Sequence, residues 1–166
     1  MFTTRPTLEG TFGMVSSTHW IASQVAMRIL EQGGNAFDAA VAAGFVLHVA
    51  EPHLNGPGGE VPAIIATASD PKPRVLAGQG PAPAAATIEH YTSLGFDLIP
   101  GSGLLAAAVP GAVDAWLLLL RDYGTKSLES VLEPAISYAA NGIPVLERVT
   151  ATVESVRELF EKDWTT

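Results

Sequence analysis

The stretch GGNAFDAAVAAGFVLHVAEPHLNGPGGE, Gly33 to Glu60, decides how this chain is to be read. Its opening is punctuation. Gly33-Gly34 closes whatever helix precedes it. Asn35 suits the N-cap of the next helix, with Asp38 at its third position, where a carboxylate meets the positive helix end. From Ala36 to Ala50 the residues are apolar nearly all round, so this helix is expected to be buried. Its alanines and Gly44 allow a neighbouring layer to approach closely, and Pro52 ends it. The loop EPHLNGPGGE, Glu51 to Glu60, holds three glycines, two prolines, a histidine and an asparagine.

Such a loop suggests a phosphate cradle, a metal corner or a tight turn. GPGGE lacks the Lys-Ser/Thr of a P-loop, and it comes after a helix where both nucleotide loops come after a strand. A turn built on positive φ and close backbone approach fits better. Its free N–H groups can also serve as an oxyanion hole or pocket wall. The histidines are His19, His48, His53 and His90, and no two stand at the i, i+4 spacing of a helical metal pair. His48, on the buried helix, reads as a satisfied core histidine. No metal site and no cofactor are expected.

Nucleophiles are no better defined. There is no G-x-S-x-G, and zero cysteines exclude a thiolate. Thr3 and Thr4 lie behind Met1 and so cannot carry the free amine that an N-terminal nucleophile needs.

Working outward, FGMVSS (Phe12 to Ser17) reads as a short strand. Ser17 or Thr18 then caps a helix with the stripe Ile21, Ala22, Val25, Ala26, Ile29 and Leu30. Beyond the loop, Ala63 to Ala68 reads as a strand and Arg74 to Gln79 as its antiparallel return. Ile88 to Leu94 suits a short helix. Pro110 suits the first turn of a helix through Asp122, with Val113, Leu117 and Leu120 inward. Its WLLLL run is core, not a membrane anchor. Ser127 caps a helix carrying Leu128, Val131, Leu132, Ala135, Ile136 and Ala139, bent at Pro134 and ended by Asn141-Gly142. Leu146, Val149, Val153, Val156 and Phe160 give a last amphipathic helix. The class is a layered α+β protein, helix-rich in its second half, whose strands supply only part of a sheet.

Composition sets outer limits. With 48% apolar and 16% charged residues over 166 positions, the chain builds a core and is not disordered. A net charge of −8 argues against nucleic acid and anionic membrane as partners. The start has no apolar leader, and Ala36–Ala50 is too short to span a bilayer, so a cytoplasmic protein is expected. The last residues, VESVRELFEKDWTT, stop after a helical pattern without a closing element, as an incomplete domain does.

Together these runs resemble a known family. GMVSSTHW through GPGGE, APAAAT (Ala82 to Thr87), AAAVPGAVDAW (Ala106 to Trp116) and YGTKSLESVLEPAISYAANGIPV are similar, in order, to the opening of γ-glutamyltranspeptidases. The resemblance covers Gly13 to Glu161 and implies an N-terminal nucleophile hydrolase with an αββα sandwich. In that family a precursor cuts itself into a large and a small subunit. The small subunit begins with a threonine whose hydroxyl attacks an amide while its own amine acts as base. On that reading residues 1–166 are the N-terminal portion of the large subunit and hold no catalytic residue. The implied partners are a small-molecule amide substrate and the missing C-terminal part of the same precursor, and the chain alone is expected to be inactive.

The implied reaction is γ-glutamyl transfer or glutathione hydrolysis. Oxamate amidohydrolases and cephalosporin acylases are relatives acting on other substrates. Members that bind a γ-glutamyl group carry an arginine in an R-x-x-A-P frame, its guanidinium forked onto the glutamate α-carboxylate. Counting back from Ala82-Pro83 places Gln79 there. A neutral amide supplies no charge, and losing such a pair costs about 2–3 kcal/mol of binding. Arg74 sits five residues earlier as a conceivable substitute. Asn55 and Glu60, in the glycine loop, are expected at the pocket edge.

Overall fold

A computed structural model of the chain describes residues 7–163. The elements run in the order α1 (Trp20–Glu31), α2 (Ala36–Ala50), β1 (Val61–Ile65), β2 (Arg74–Gly78), α3 (Ile88–Ser93), α4 (Ala112–Tyr123), α5 (Leu128–Asn141) and α6 (Glu147–Ser155). A 3₁₀ turn lies at Leu104–Ala106 and a π-helical turn at Leu159–Asp163. This is the expected α+β class, with the second half helical.

Helix α2 is the centre. It packs against α1, α4 and α5, and Val41, Ala42 and Val46 on it are closed to solvent. Ile21, Val25 and Ile29 of α1, Leu119 of α4 and Val131 of α5 complete the core. Small side chains on α2 are what let three helices reach it at close-packed density.

The local signals that set α2 work as read. At the end of α1, Gly33 at φ 78° lets its N–H reach the Leu30 carbonyl at 3.0 Å, and Gly34 reaches that of Ile29 at 2.9 Å. Asn35 then accepts from the N–H groups of Phe37 and Asp38, while the Asp38 carboxylate accepts from the Asn35 N–H at 2.8 Å. This reciprocal capping box fixes where α2 starts.

Several expectations are corrected. Phe12–Ser17 is not a strand: the described sheet consists of β1 and β2 alone, and this segment has no ladder partner among the described residues. The cap of α1 is His19, whose Nδ1 accepts from the Ile21 N–H at 3.2 Å. Neither Ser17 nor Thr18 caps, because the Ser17 hydroxyl donates to the His19 carbonyl and that of Thr18 to Glu51. The buried histidine is therefore His19, 2% exposed, while His48 is half-buried with its ring edge against Phe45.

Strand β1 sits earlier than Ala63–Ala68. Its antiparallel ladder runs from Val61↔Gly78 to Ile65↔Arg74, after which the chain turns through Thr67 and Asp70. Pro110 lies before the Gly111 cap, outside α4. That helix is also rotated from the expected face. Ala112, Ala115, Leu119 and Leu120 are buried and Leu117 is exposed, because the two alanines pack on Val61 of the hairpin. On α5, Ile136 is exposed as well. The last amphipathic helix breaks at Val156, and of its stripe only Val149 is buried. Finally, positive φ is found at Gly33, Gly95, Gly103 and Gly142 and not in the glycine loop.

Candidate substrate-binding site

Three glycine-containing segments meet at one end of the hairpin. The last ladder pair is Val61↔Gly78, so Glu60 and Gln79 adjoin it directly on the two strands. The carbonyl of Gly59 accepts from the N–H groups of Gly111 at 3.1 Å and Ala112 at 2.9 Å. The glycine loop thereby caps α4, satisfying donors that the helix itself leaves free. The Val109 N–H bonds to the Pro81 carbonyl at 3.0 Å. At Gly80 a Cβ would run into the Val109 carbonyl, so only glycine lets these chains cross. GPGGE, GQGPAP and VPGA, separate in sequence, are one unit in space.

A cavity of about 210 Å³ opens there, lined by Gln79, Gly80, Pro81, Val109, Pro110 and Asp114 among others. Gln79 is exposed and Asp114, in the first turn of α4, is the charged residue of the lining. Glu60 stands next to Gln79 in register but does not line the cavity. Asn55 lies outside it too. Its side-chain amide donates to the Glu51 carbonyl at 3.2 Å, and its backbone N–H bonds to the same oxygen at 3.2 Å. The structure thus brings Gln79 and Glu60 together and leaves Asn55 as a turn former.

No described cation reaches this cavity. Arg74 pairs with Ile65 at the far end of the ladder, about 17 Å from Gln79 at the usual strand rise. Its guanidinium donates to the Asp70 carboxylate at 2.5 Å and to the Tyr123 hydroxyl at 3.4 Å. Lys126 is engaged with the Gln32 carbonyl and Arg121 with Asp122. Arg74 thus lies at the other end of the hairpin from Gln79 and does not line this cavity.

Sequence reasoning passed over a second polar centre. Glu51, at the end of α2, is completely buried, with its carboxylate holding the Thr18 hydroxyl and the Arg148 guanidinium of α6. His19 lies close by. Burial, and then the charge of Arg148, lowers its pKa, keeping the ring neutral. The signal available was a glutamate placed directly after fifteen residues of buried helix. Among the described residues no cluster of three or more His, Cys, Asp or Glu is arranged to hold a metal. Nor is any described helix long and apolar enough to cross a membrane.

The profile of the gamma-glutamyltranspeptidase family matches residues 22–166. The chain belongs to that family. It is 44% identical over 137 residues to the glutathione hydrolase-like YwrD proenzyme of Bacillus subtilis strain 168, covering 82% of this chain and 26% of that protein. To the oxamate amidohydrolase proenzyme of Klebsiella pneumoniae it is 37% identical over 166 residues, covering 93% of this chain and 31% of the relative. The solved structure of LmbA2991HD superposes with a TM-score of 0.93 at 68% identity, over 99% of this chain and 28% of that one. This gamma-glutamyltranspeptidase-family chain therefore spans between a quarter and a third of the length of these proteins.

Proposed function

We propose that residues 1–166 are the N-terminal portion of the large subunit of an amide hydrolase or acyl transferase, whose nucleophile is an N-terminal threonine formed by self-cleavage downstream. The partner of this portion is then the remainder of its own precursor, and alone it is inactive. The proenzyme names of its relatives support the precursor reading. A threonine carrying its own amine as base supplies the nucleophile–base pair that amide cleavage requires.

The observation that bears on substrate is the cavity at Gln79. A γ-glutamyl donor presents an α-carboxylate that calls for a forked cation, yet the lining offers a neutral amide and the acid Asp114, with every lining residue uncharged or negative. The substrate is accordingly an amide whose corresponding end is not a free carboxylate. The name of the oxamate amidohydrolase relative supports amides other than γ-glutamyl ones in this family, and oxamate, which keeps a carboxylate, does not itself stand for the carboxylate-free class. The second reading, glutathione hydrolysis, has the name of the Bacillus relative in its favour.

The test uses the full-length protein. Mass spectrometry of the mature product is expected to show two chains from one gene. Hydrolysis of a γ-glutamyl anilide is expected to be weak and to rise about 30-fold in Gln79→Arg, the equivalent of about 2 kcal/mol for a charge-assisted pair. Strong turnover by the unaltered protein decides for glutathione hydrolysis. An unchanged rate in Gln79→Arg removes Gln79 from the substrate site.

A further inference from the structure

The chain holds three asparagines, Asn35, Asn55 and Asn141, and glycine follows two of them. An Asn-Gly pair is chemically labile where the glycine nitrogen is free to attack the side-chain amide. The three environments differ in this respect. Asn35 is tied into the start of α2: its oxygen accepts from two helix N–H groups and its amide donates to the Tyr123 carbonyl at 2.7 Å. Asn141 is the last residue of α5. Its amide donates to the Ser137 carbonyl at 3.0 Å and hydroxyl at 3.3 Å, and the Gly142 N–H closes the helix on the Tyr138 carbonyl at 2.9 Å. An N–H already spent in closing a helix end is not available as a nucleophile.

Asn55-Gly56 has none of this protection. The pair lies outside every helix and strand, between two turns. One is closed by the N–H groups of Leu54 and Asn55 on the Glu51 carbonyl, the other by that of Gly59 on the Gly56 carbonyl. The Gly56 N–H makes no hydrogen bond among the described residues. The side-chain amide of Asn55 is held by a single bond, to the Glu51 carbonyl at 3.2 Å, and that bond engages the nitrogen that would leave. Glycine at 56 is required neither by conformation nor by space, since its φ is not positive and an added Cβ would meet nothing within 4 Å. What glycine supplies here is an unshielded backbone nitrogen.

We propose that Asn55-Gly56 is a self-modification site, at which the glycine loop converts spontaneously from amide to acid through a succinimide. The Gly56 nitrogen gives up its proton and bonds to the Asn55 side-chain Cγ. The Cγ–Nδ2 bond breaks, and ammonia leaves carrying that proton. Water then opens the five-membered ring. Opening at Cγ breaks the new bond to nitrogen and leaves aspartate. Opening at the main-chain carbonyl breaks the peptide bond instead and leaves isoaspartate, with the chain running through the side chain. Either product puts a carboxylate where Asn55 had a donor to the Glu51 carbonyl, so that hydrogen bond is lost. Isoaspartate also lengthens the main chain between the two turns. The same loop continues to Gly59, whose carbonyl holds the first N–H groups of α4. The reaction therefore loosens the loop at its α2 end and adds a negative charge to it.

Peptide mapping by mass spectrometry tests this on the full-length protein, held folded at mildly alkaline pH over days. The Asn55 peptide should gain about 1 Da and resolve into aspartate and isoaspartate forms, about tenfold or more faster than the Asn141 peptide. The rate should rise with pH, because the attacking nitrogen must lose its proton. Gly56→Ala should slow the conversion about tenfold, a barrier higher by about 1.4 kcal/mol. In urea-unfolded protein both Asn-Gly pairs should convert, so that protection of Asn141 is read as a property of the fold. An Asn55 peptide that stays unchanged while the unfolded control converts overturns the proposal. So do conversion at Asn141 as fast as at Asn55, aspartate formed without isoaspartate, and a rate untouched by Gly56→Ala. Asn55 and Asn141 are compared within one unaltered protein, so the test stands even where Gly56→Ala does not fold.

Discussion

Asp38 and Glu51 sit at the two ends of one helix, both without exposed surface, and they are held by opposite means. Asp38, in the first turn of α2, accepts from the backbone N–H groups of Asn35 at 2.8 Å, Thr125 at 2.8 Å and Lys126 at 3.0 Å, and from the Thr125 hydroxyl at 2.7 Å. No described cation touches it, since the Lys126 ammonium is bonded to the Gln32 carbonyl at 2.7 Å. Burial by itself would raise the pKa of this carboxyl, but the four donors outweigh it and hold the pKa below the usual value. The positive end of the helix adds to their effect. Glu51 stands at the other end, where helix carbonyls point outward and the dipole opposes an anion. It is held by a full positive charge, Arg148, with the Thr18 hydroxyl on its second oxygen. A carboxylate at a helix start is served by backbone dipoles close to hand. One at a helix end needs a side chain brought from elsewhere.

If that contrast is right, the largest effect comes from Arg148→Met. It leaves Glu51 buried without its cation and should cost the full-length protein about 3 kcal/mol in denaturant unfolding, at the low end for a broken buried pair because Arg148 is itself half exposed. Glu51→Gln combined with Arg148→Met should recover more than half of the loss. Failure of the double variant to recover means that packing of the arginine stem, not charge, carries the effect.

Asp38→Asn should cost less, about 2 kcal/mol, since an amide keeps the volume and one acceptor. No cation is left behind to be compensated. Its pH signature is distinct. Asp38 has a lower pKa folded than unfolded, so its stabilisation is present above about pH 4 and is lost as pH falls through the folded value. Acid unfolding of Asp38→Asn should therefore fall less steeply below pH 4 than that of the unaltered protein. Equal slopes would show that the hydrogen bonds do not favour the charged form.

The same contrast explains what was legible. The Asp38 end was readable because Gly33-Gly34, Asn35 and Asp38 act on backbone within four residues of themselves. Both bounds of α2 came from that kind of local punctuation. At the Glu51 end, partners come from the segment before α1 and from α6, and no periodicity announces such a meeting. The rotation of α4 was hidden for a related reason: its leucines advertise a face, but the hairpin it packs on selects Ala112 and Ala115. In the candidate site, the family resemblance singled out Gln79 and the loop. That Gly59 caps α4, and that Asn55 serves its own turn, depends on chain crossings that sequence spacing does not encode.

The smallest effect sharpens the crowded Glu51 end. His19 accepts the Ile21 N–H at Nδ1, which puts its proton on Nε2, a buried atom with no partner among the described residues. Burial and the nearby Arg148 both disfavour a second proton, so His19 titrates lower folded than unfolded. The unfolded chain then binds the extra proton in the window below about pH 6.5, and stability rises with pH across that window. His48, lowered by burial, adds to the same slope. His19→Asn keeps a side-chain acceptor at the cap, so it should change stability at pH 8 by less than about 1 kcal/mol. Between pH 5 and 7 the rise in Tm should flatten but not vanish, His48 supplying the remainder. A slope unchanged in His19→Asn would place the titration elsewhere. It would also mean that the positive charge of Arg148 is absorbed by Glu51 alone and does not reach His19.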